Sequence, residues 1–166
     1  MKMAFVVVAY KDPSQIERLI KKFSYDESDF YIHLDKKINI SDFAYLGHLE
    51  RVYFIKTRVK VNWGGFGVTA GILNSIEEIL SSGRKYDFIS IVSGQDYLIK
   101  PVASFYLHLQ NNLGKNFIFF EDPGDQWWSH AITRINRYHM TNYGFRGRYR
   151  IQFLSLIHIS EPTRPY

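Results

Sequence analysis

Two polar side chains, Gln95 and Asp96, come just beyond a short apolar, β-branched run, Phe88 to Val92, within the stretch YDFISIVSGQDYLIKP. An amide and a carboxylate delivered at the carboxyl end of a buried strand are groups with which open α/β sheets grip a ligand. Between the run and the polar pair lie Ser93 and Gly94, small enough to let another molecule approach the backbone. The run itself reads as a strand buried on both faces. Lys100-Pro101 then marks a helix start, because proline fits a first helical turn. A plainer reading stays open beside this one, in which Asp96 only caps the next helix.

A second acid stands in the same kind of place. Phe30 to Leu34, FYIHL, reads as a strand and delivers Asp35-Lys36-Lys37 at its end. An acid at that position can hydrogen-bond a ribose or a base edge. The competing role is an ion pair with Lys36 or Lys37, worth little on an exposed surface. His33, inside the strand, reads as a packed side chain rather than a metal ligand. Further along, Val61-Asn62-Trp63-Gly64-Gly65-Phe66-Gly67 sets a glycine pair between two large aromatics. Trp63 can floor a sugar or base pocket, or plug the gap between helix and sheet; the plug is the preferred reading. From Gly124 to Tyr149 the character changes, with Trp127, Trp128, Arg134, Arg137, Tyr138, His139, Tyr143, Arg146, Arg148 and Tyr149. Aromatics interleaved with arginine can stack on bases or sugars and hold phosphate.

These groups need a scaffold, and the pattern supplies one. Met3 to Ala9 is a near-continuous Val, Ala and Phe run, the mark of a central strand in a parallel sheet. Asp12-Pro13-Ser14-Gln15 is a strong helix start, and Ile16, Leu19, Ile20 and Phe23 follow at helical spacing. Val52 to Ile55 is a third, short strand. Thr69, Ala70, Ile72, Leu73, Ile76, Ile79 and Leu80 form an amphipathic helix that stops at Gly83. Pro101 to Leu113 is a further helix with Phe105, Leu109 and Leu113 in register, and Asn116 to Phe120 a further strand ending at Glu121-Asp122. Strands alternating with helices give an α/β fold.

The chain has 166 residues, 46% hydrophobic and 17% aromatic, enough for one domain with a real core. A net charge of +5 suits anionic partners without selecting among nucleotide, nucleic acid and membrane surface. Cysteine is absent, which excludes a disulfide framework and thiolate metal sites. No apolar run approaches the ~20 residues that span a bilayer. Met1 to Tyr10 meets Lys11-Asp12-Pro13 without a small-residue cleavage site, so it reads as a strand and not a signal peptide. The last stretch, LSLIHISEPTRPY from Leu154 to Tyr166, continues no upstream pattern and reads as the translation of a sequencing-library adaptor. On that reading the native sequence runs from residue 1 to 153, is the amino-terminal part of a longer protein, and holds no domain boundary.

Four segments, in order and spacing, resemble glycosyltransferase family 14, the Core-2/I-branching β-1,6-N-acetylglucosaminyltransferases with their bacterial relatives and the xylosyltransferases. They are Ala9 to Pro13, Tyr31 to Lys37, Val61 to Phe66 and Ser93 to Lys100. The resemblance covers residues 1 to 153 and implies a GT-A-like, Rossmann-like nucleotide-sugar-binding sheet with flanking helices, incomplete at its carboxyl end. It implies an inverting transfer from a UDP-sugar, GlcNAc- or xylose-like, to a hydroxyl of a glycan acceptor. Carried over by residue, Val8 and Ala9 line a uracil pocket, Asp35 contacts uridine, and Trp63, Gly94, Gln95 and Asp96 complete the donor site. Glu121, Arg134 and Arg137 fall in the acceptor-binding segment. The chain has no Asp-x-Asp motif. That matches metal-independent members, so no metal and no cofactor is expected, and basic side chains take the ion's place. The family's catalytic base, a glutamate, lies downstream, so no catalytic residue is assigned here and these residues alone are expected to be inactive. Location in the cytoplasm or peripherally on the inner membrane face is expected, with no nucleic-acid partner.

Two rivals remain on the residues alone: a nucleic-acid-binding module carried by the basic, aromatic segment Arg134 to Arg150, and a sugar-binding module without catalysis. The first predicts affinity that falls steeply with salt. The second differs from the transferase by the absence of turnover.

Overall fold

The computed structural model describes residues 1–25, 27–62, 65–119, 128 and 131–132. The chain divides into two compact units, Met1–Asn62 with Phe66–Asn116 and Trp63–Gly65 with Phe117–Tyr166. The regular elements that position the candidate site lie in the first unit: β1 (Lys2–Ala9), α1 (Pro13–Phe23), β2 (Glu27–Leu34), 3₁₀ turns (Ser41–His48), β3 (Val52–Phe54), α2 (Gly67–Ser81), β4 (Phe88–Ser93) and α3 (Val102–Gln110).

The four strands form one parallel sheet in the order β3-β2-β1-β4. β1 is therefore internal, as its unbroken apolar run predicts, and Met3 through Val7 are all fully buried. The pleat sends alternate residues to opposite faces. Phe5 and Val7 pack with Ile16, Leu19, Ile20 and Phe23 of α1, with Phe43 and Leu46 of the 3₁₀ turns, and with Tyr106 and Leu109 of α3. Ala4 and Val6 pack on the other face with Tyr31, Ile55 and Ile79 of α2. Helices on both faces of a parallel sheet make the α/β, GT-A-like architecture that the sequence implied.

α1 begins as its residues dictate: Asp12 caps it by accepting from Gln15 N, and Pro13 opens the helix. α2 departs from expectation. Its buried stripe is Gly71, Ser75 and Ile79, while Leu73 and Leu80 are 54% and 66% exposed. Small residues win the inner face because they let the helix sit close on the sheet; a Cβ on Gly71 would lie 2.6 Å from His33 Cε1. β4 departs too. It is an edge strand among the described residues, with Val92 buried and Ile91 50% exposed, so it is not covered on both faces. Asn116–Phe119 carries no strand. An apolar run becomes a strand only where a neighbour supplies ladder hydrogen bonds, and none of the four strands pairs with it. Phe120 lies outside the described residues.

Candidate functional site

After β1 the chain moves to β2 and β3 on one side, then crosses back to place β4 on the other. The reversal lies between β1 and β4, and open α/β sheets bind ligands beyond the strand carboxyl ends at such a switch point. Ala9, Asp35 and Gly94 all stand at that edge. The last carbonyls of β1 serve both neighbours: Ala9 O accepts from Asp35 N at 2.9 Å, and Val8 O from Gly94 N at 2.8 Å. Val8 is half-buried and Ala9 buried. The residues expected to face uridine and those expected near the sugar and phosphates thus flank one strand end.

Gly94 is small for an internal reason. An added Cβ would meet Ala9 Cβ at 3.1 Å and Ile16 Cγ1 at 3.3 Å, so the glycine lets β4 close on β1 and α1. Gln95 and Asp96 beyond it are exposed. Asp96 does not cap α3, whose N-cap is Pro101 with no side-chain bond. Its Oδ2 accepts from Ser93 N at 2.8 Å, and its own N–H donates to Ser93 O at 3.0 Å, which closes a tight turn. That turn aims Gln95 across the switch point, where Nε2 donates to Tyr10 Oη at 3.0 Å.

Asp35 is 5% exposed and well bonded. Its Oδ1 accepts from Lys37 N at 2.9 Å and Val61 N at 3.2 Å, and Lys37 Nζ lies 3.5 Å from Oδ2. The carboxylate therefore fastens the segment at Val61. Arg58, which sequence reasoning missed, reinforces the same corner. Its guanidinium donates to Leu34 O at 2.8 Å, Asp35 O at 2.7 Å and Ile38 O at 2.6 Å. No periodicity or motif marks Arg58, because its partners are backbone carbonyls that every sequence possesses.

His33 is packed, as expected. It is fully buried beside Gly71, and its Nε2 accepts from Val59 N at 3.1 Å. The proton therefore sits on Nδ1, which has no hydrogen-bond partner among the described residues. Burial pushes the imidazole below its usual range, with Asp35 acting against that and Arg58 with it. A folded-state pKa below the unfolded value means that the unfolded chain takes up the proton first. Stability from this group is complete above about pH 6.5 and falls as pH drops below it, at up to about 1.4 kcal/mol per pH unit. Urea denaturation at steps from pH 8 to pH 5 is expected to show a slope that His33→Gln reduces by one proton's share; an unchanged slope contradicts this.

Trp63, Glu121, Arg134 and Arg137 lie outside the described residues. Among the described residues no group of three or more His, Asp or Glu side chains is placed to hold a metal, and no helix is long and apolar enough to cross a membrane.

A family model described as Core-2/I-Branching enzyme matches residues 3–148. Xylosyltransferase oxt of Drosophila pseudoobscura pseudoobscura is 28% identical over 110 residues, 63% of this chain and 12% of that protein. Xylosyltransferase 2 of Rattus norvegicus is 28% identical over 125 residues, 71% of this chain and 14% of that protein. The N-acetyllactosaminide beta-1,6-N-acetylglucosaminyl-transferase of Homo sapiens is 23% identical over 161 residues, 93% of this chain and 38% of that protein. The chain thus spans well under half the length of these relatives.

Proposed function

The chain belongs to the Core-2/I-branching enzyme family, and from that premise we propose that it forms the donor-binding part of an inverting, metal-independent glycosyltransferase that uses a UDP-sugar. One observation carries the reading: the ends of β1, β2 and β4 bring Ala9, Asp35, Gly94, Gln95 and Asp96 to one edge, on either side of the switch point. The named activities of the relatives favour a xylose-like or GlcNAc-like donor sugar and a glycan hydroxyl as acceptor.

In an inverting transfer the acceptor hydroxyl attacks the anomeric carbon from the face opposite UDP, while a general base removes its proton. Asp35 and Asp96 are poor candidates for that base. The first already accepts two backbone N–H bonds and the second accepts from Ser93 N. No carboxylate of this chain is assigned as the base, which the family resemblance puts downstream of residue 153. The departing diphosphate needs positive charge, and Lys11 and Lys36 stand exposed two residues beyond the ends of β1 and β2. Together with the lack of an Asp-x-Asp motif, this supports leaving-group stabilisation by side chains.

Calorimetry of the full-length gene product with UDP in EDTA tests the proposal. A single saturable site is expected. Absence of binding, or binding only after Mn²⁺ is added, contradicts it.

A further inference from the structure

We propose that Tyr10 and Gln95 together read the sugar of the donor, with Tyr10 as the specificity-determining side chain, an inference that rests on the donor-site reading above. Tyr10 follows β1 and Gln95 follows β4, so their hydrogen bond of 3.0 Å spans the switch point itself. The direction of that bond matters. Gln95 Nε2 donates, which leaves the Tyr10 hydroxyl hydrogen and Gln95 Oε1 for a ligand. A neutral donor beside a neutral acceptor suits sugar hydroxyls or an acetamido group. A diphosphate calls for cations instead.

The tyrosine ring adds an apolar surface. Tyr10 is 52% exposed, and Lys11 Nζ lies 5.3 Å from its ring centroid. The C–H face of a pyranose can pack on such a ring. The turn behind it is fixed: Asp12 has φ 57°, a left-handed conformation uncommon for any residue but glycine. Its carboxylate accepts from Ser14 Oγ at 2.9 Å and Gln15 N at 3.3 Å, which holds that conformation. Backbone strain two residues from an exposed aromatic fits a ligand-binding turn. The position within the site also selects the sugar. Asp35, expected at uridine, lies on the β2 side of β1, whereas Tyr10 is tied to the β4 side.

The test is calorimetry of the full-length gene product with UDP, UDP-GlcNAc and UDP-xylose, for the parent, Tyr10→Phe and Tyr10→Ala. UDP affinity is expected to stay within about twofold in both variants. The affinity that the preferred sugar adds to UDP should fall about fivefold in Tyr10→Phe, the share of one neutral hydrogen bond. It should fall by about tenfold or more in Tyr10→Ala, where the ring surface is lost as well. Tyr10→Phe, which keeps the ring, carries the test by itself should Tyr10→Ala not fold. The inference is overturned if UDP and UDP-sugar weaken in parallel, if neither changes, or if no sugar adds affinity in the parent. A parent that binds none of the three nucleotides overturns the donor-site reading as well, so the two failures are told apart.

Discussion

Asp35→Ala is expected to lower the unfolding free energy by about 2 kcal/mol, because two part-buried backbone N–H groups lose their acceptor and each such loss lies at the low end of the about 1–3 kcal/mol that a buried group would cost. Uridine-nucleotide affinity is expected to fall with it, since the family resemblance puts Asp35 at uridine. Alanine alone cannot separate a latch from a ligand contact. Asparagine can. Both N–H bonds go to Oδ1, so Asp35→Asn retains them and changes only the Oδ2 side, where Lys37 Nζ sits at 3.5 Å. Stability of Asp35→Asn is expected within about 1 kcal/mol of the parent, with UDP affinity down about tenfold through the lost charged acceptor. Urea denaturation and UDP calorimetry on both variants check this. Full UDP affinity in Asp35→Asn makes Asp35 a latch and nothing more.

The placement of Asp35 shows what was legible in the sequence and what was not. Its place after β2 could be read, because strand ends are announced by where an apolar run meets charge. The same holds for β1, for α1 with its Asp12-Pro13 start, and for the turn that carries Gln95 and Asp96. Bonds to backbone were not legible. The grip of Asp35 Oδ1 on Val61 N, the three carbonyls held by Arg58 and the return of Asp96 to Ser93 N depend on where distant segments come to lie. Gly94 was read for ligand approach, whereas the space beside it is filled by Ala9 and Ile16.

Burial was partly legible, and the misses share a cause. Hydrophobicity placed Leu73 and Leu80 on the inner face of α2, yet Gly71, Ser75 and Ile79 take it. The imidazole of His33 is the reason, since it fills the space that a side chain at position 71 would need. β4 was read as doubly covered because its run is apolar, but only the face that carries Val92 is buried and Ile91 on the other is 50% exposed. Tyr10 lay in a quoted motif without an assigned role. Its exposure and its bond to Gln95 exist only once β1 and β4 are adjacent.

The second large effect is expected at the other end of the sheet, in a network that sequence reading did not single out. Asp29 pairs in register with Ala4, in the amino-terminal half of β1, and is 3% exposed. Tyr86 Oη donates to its Oδ2 at 2.6 Å and lies 2.7 Å from Tyr31 Oη. Arg84 Nη1 is 3.5 Å from Oδ2, Arg51 Nη1 is 3.7 Å from Oδ1, and the Arg84 guanidinium stacks 4.3 Å over the Tyr53 ring. Burial, then the bonds to Asp29 and Tyr31, push the Tyr86 phenol well above its usual range, so it remains a proton donor at any working pH. Asp29→Ala is expected to cost about 3 kcal/mol, because a buried carboxylate that serves a half-buried hydroxyl and two cations is removed from one side only. That corresponds to a fall of roughly 6–12 °C in Tm for a chain of this size. Asp29→Asn keeps an acceptor for Tyr86 and should cost about half as much. The arginine side chains are 36% and 40% exposed, so solvent screens the ion pairs and most of the loss belongs to the phenol. Thermal denaturation at low and high salt checks that division: a penalty that vanishes in high salt would assign the effect to the ion pairs instead. UDP affinity of the folded Asp29 variants is expected to match the parent, since this network lies at the sheet end opposite the switch point.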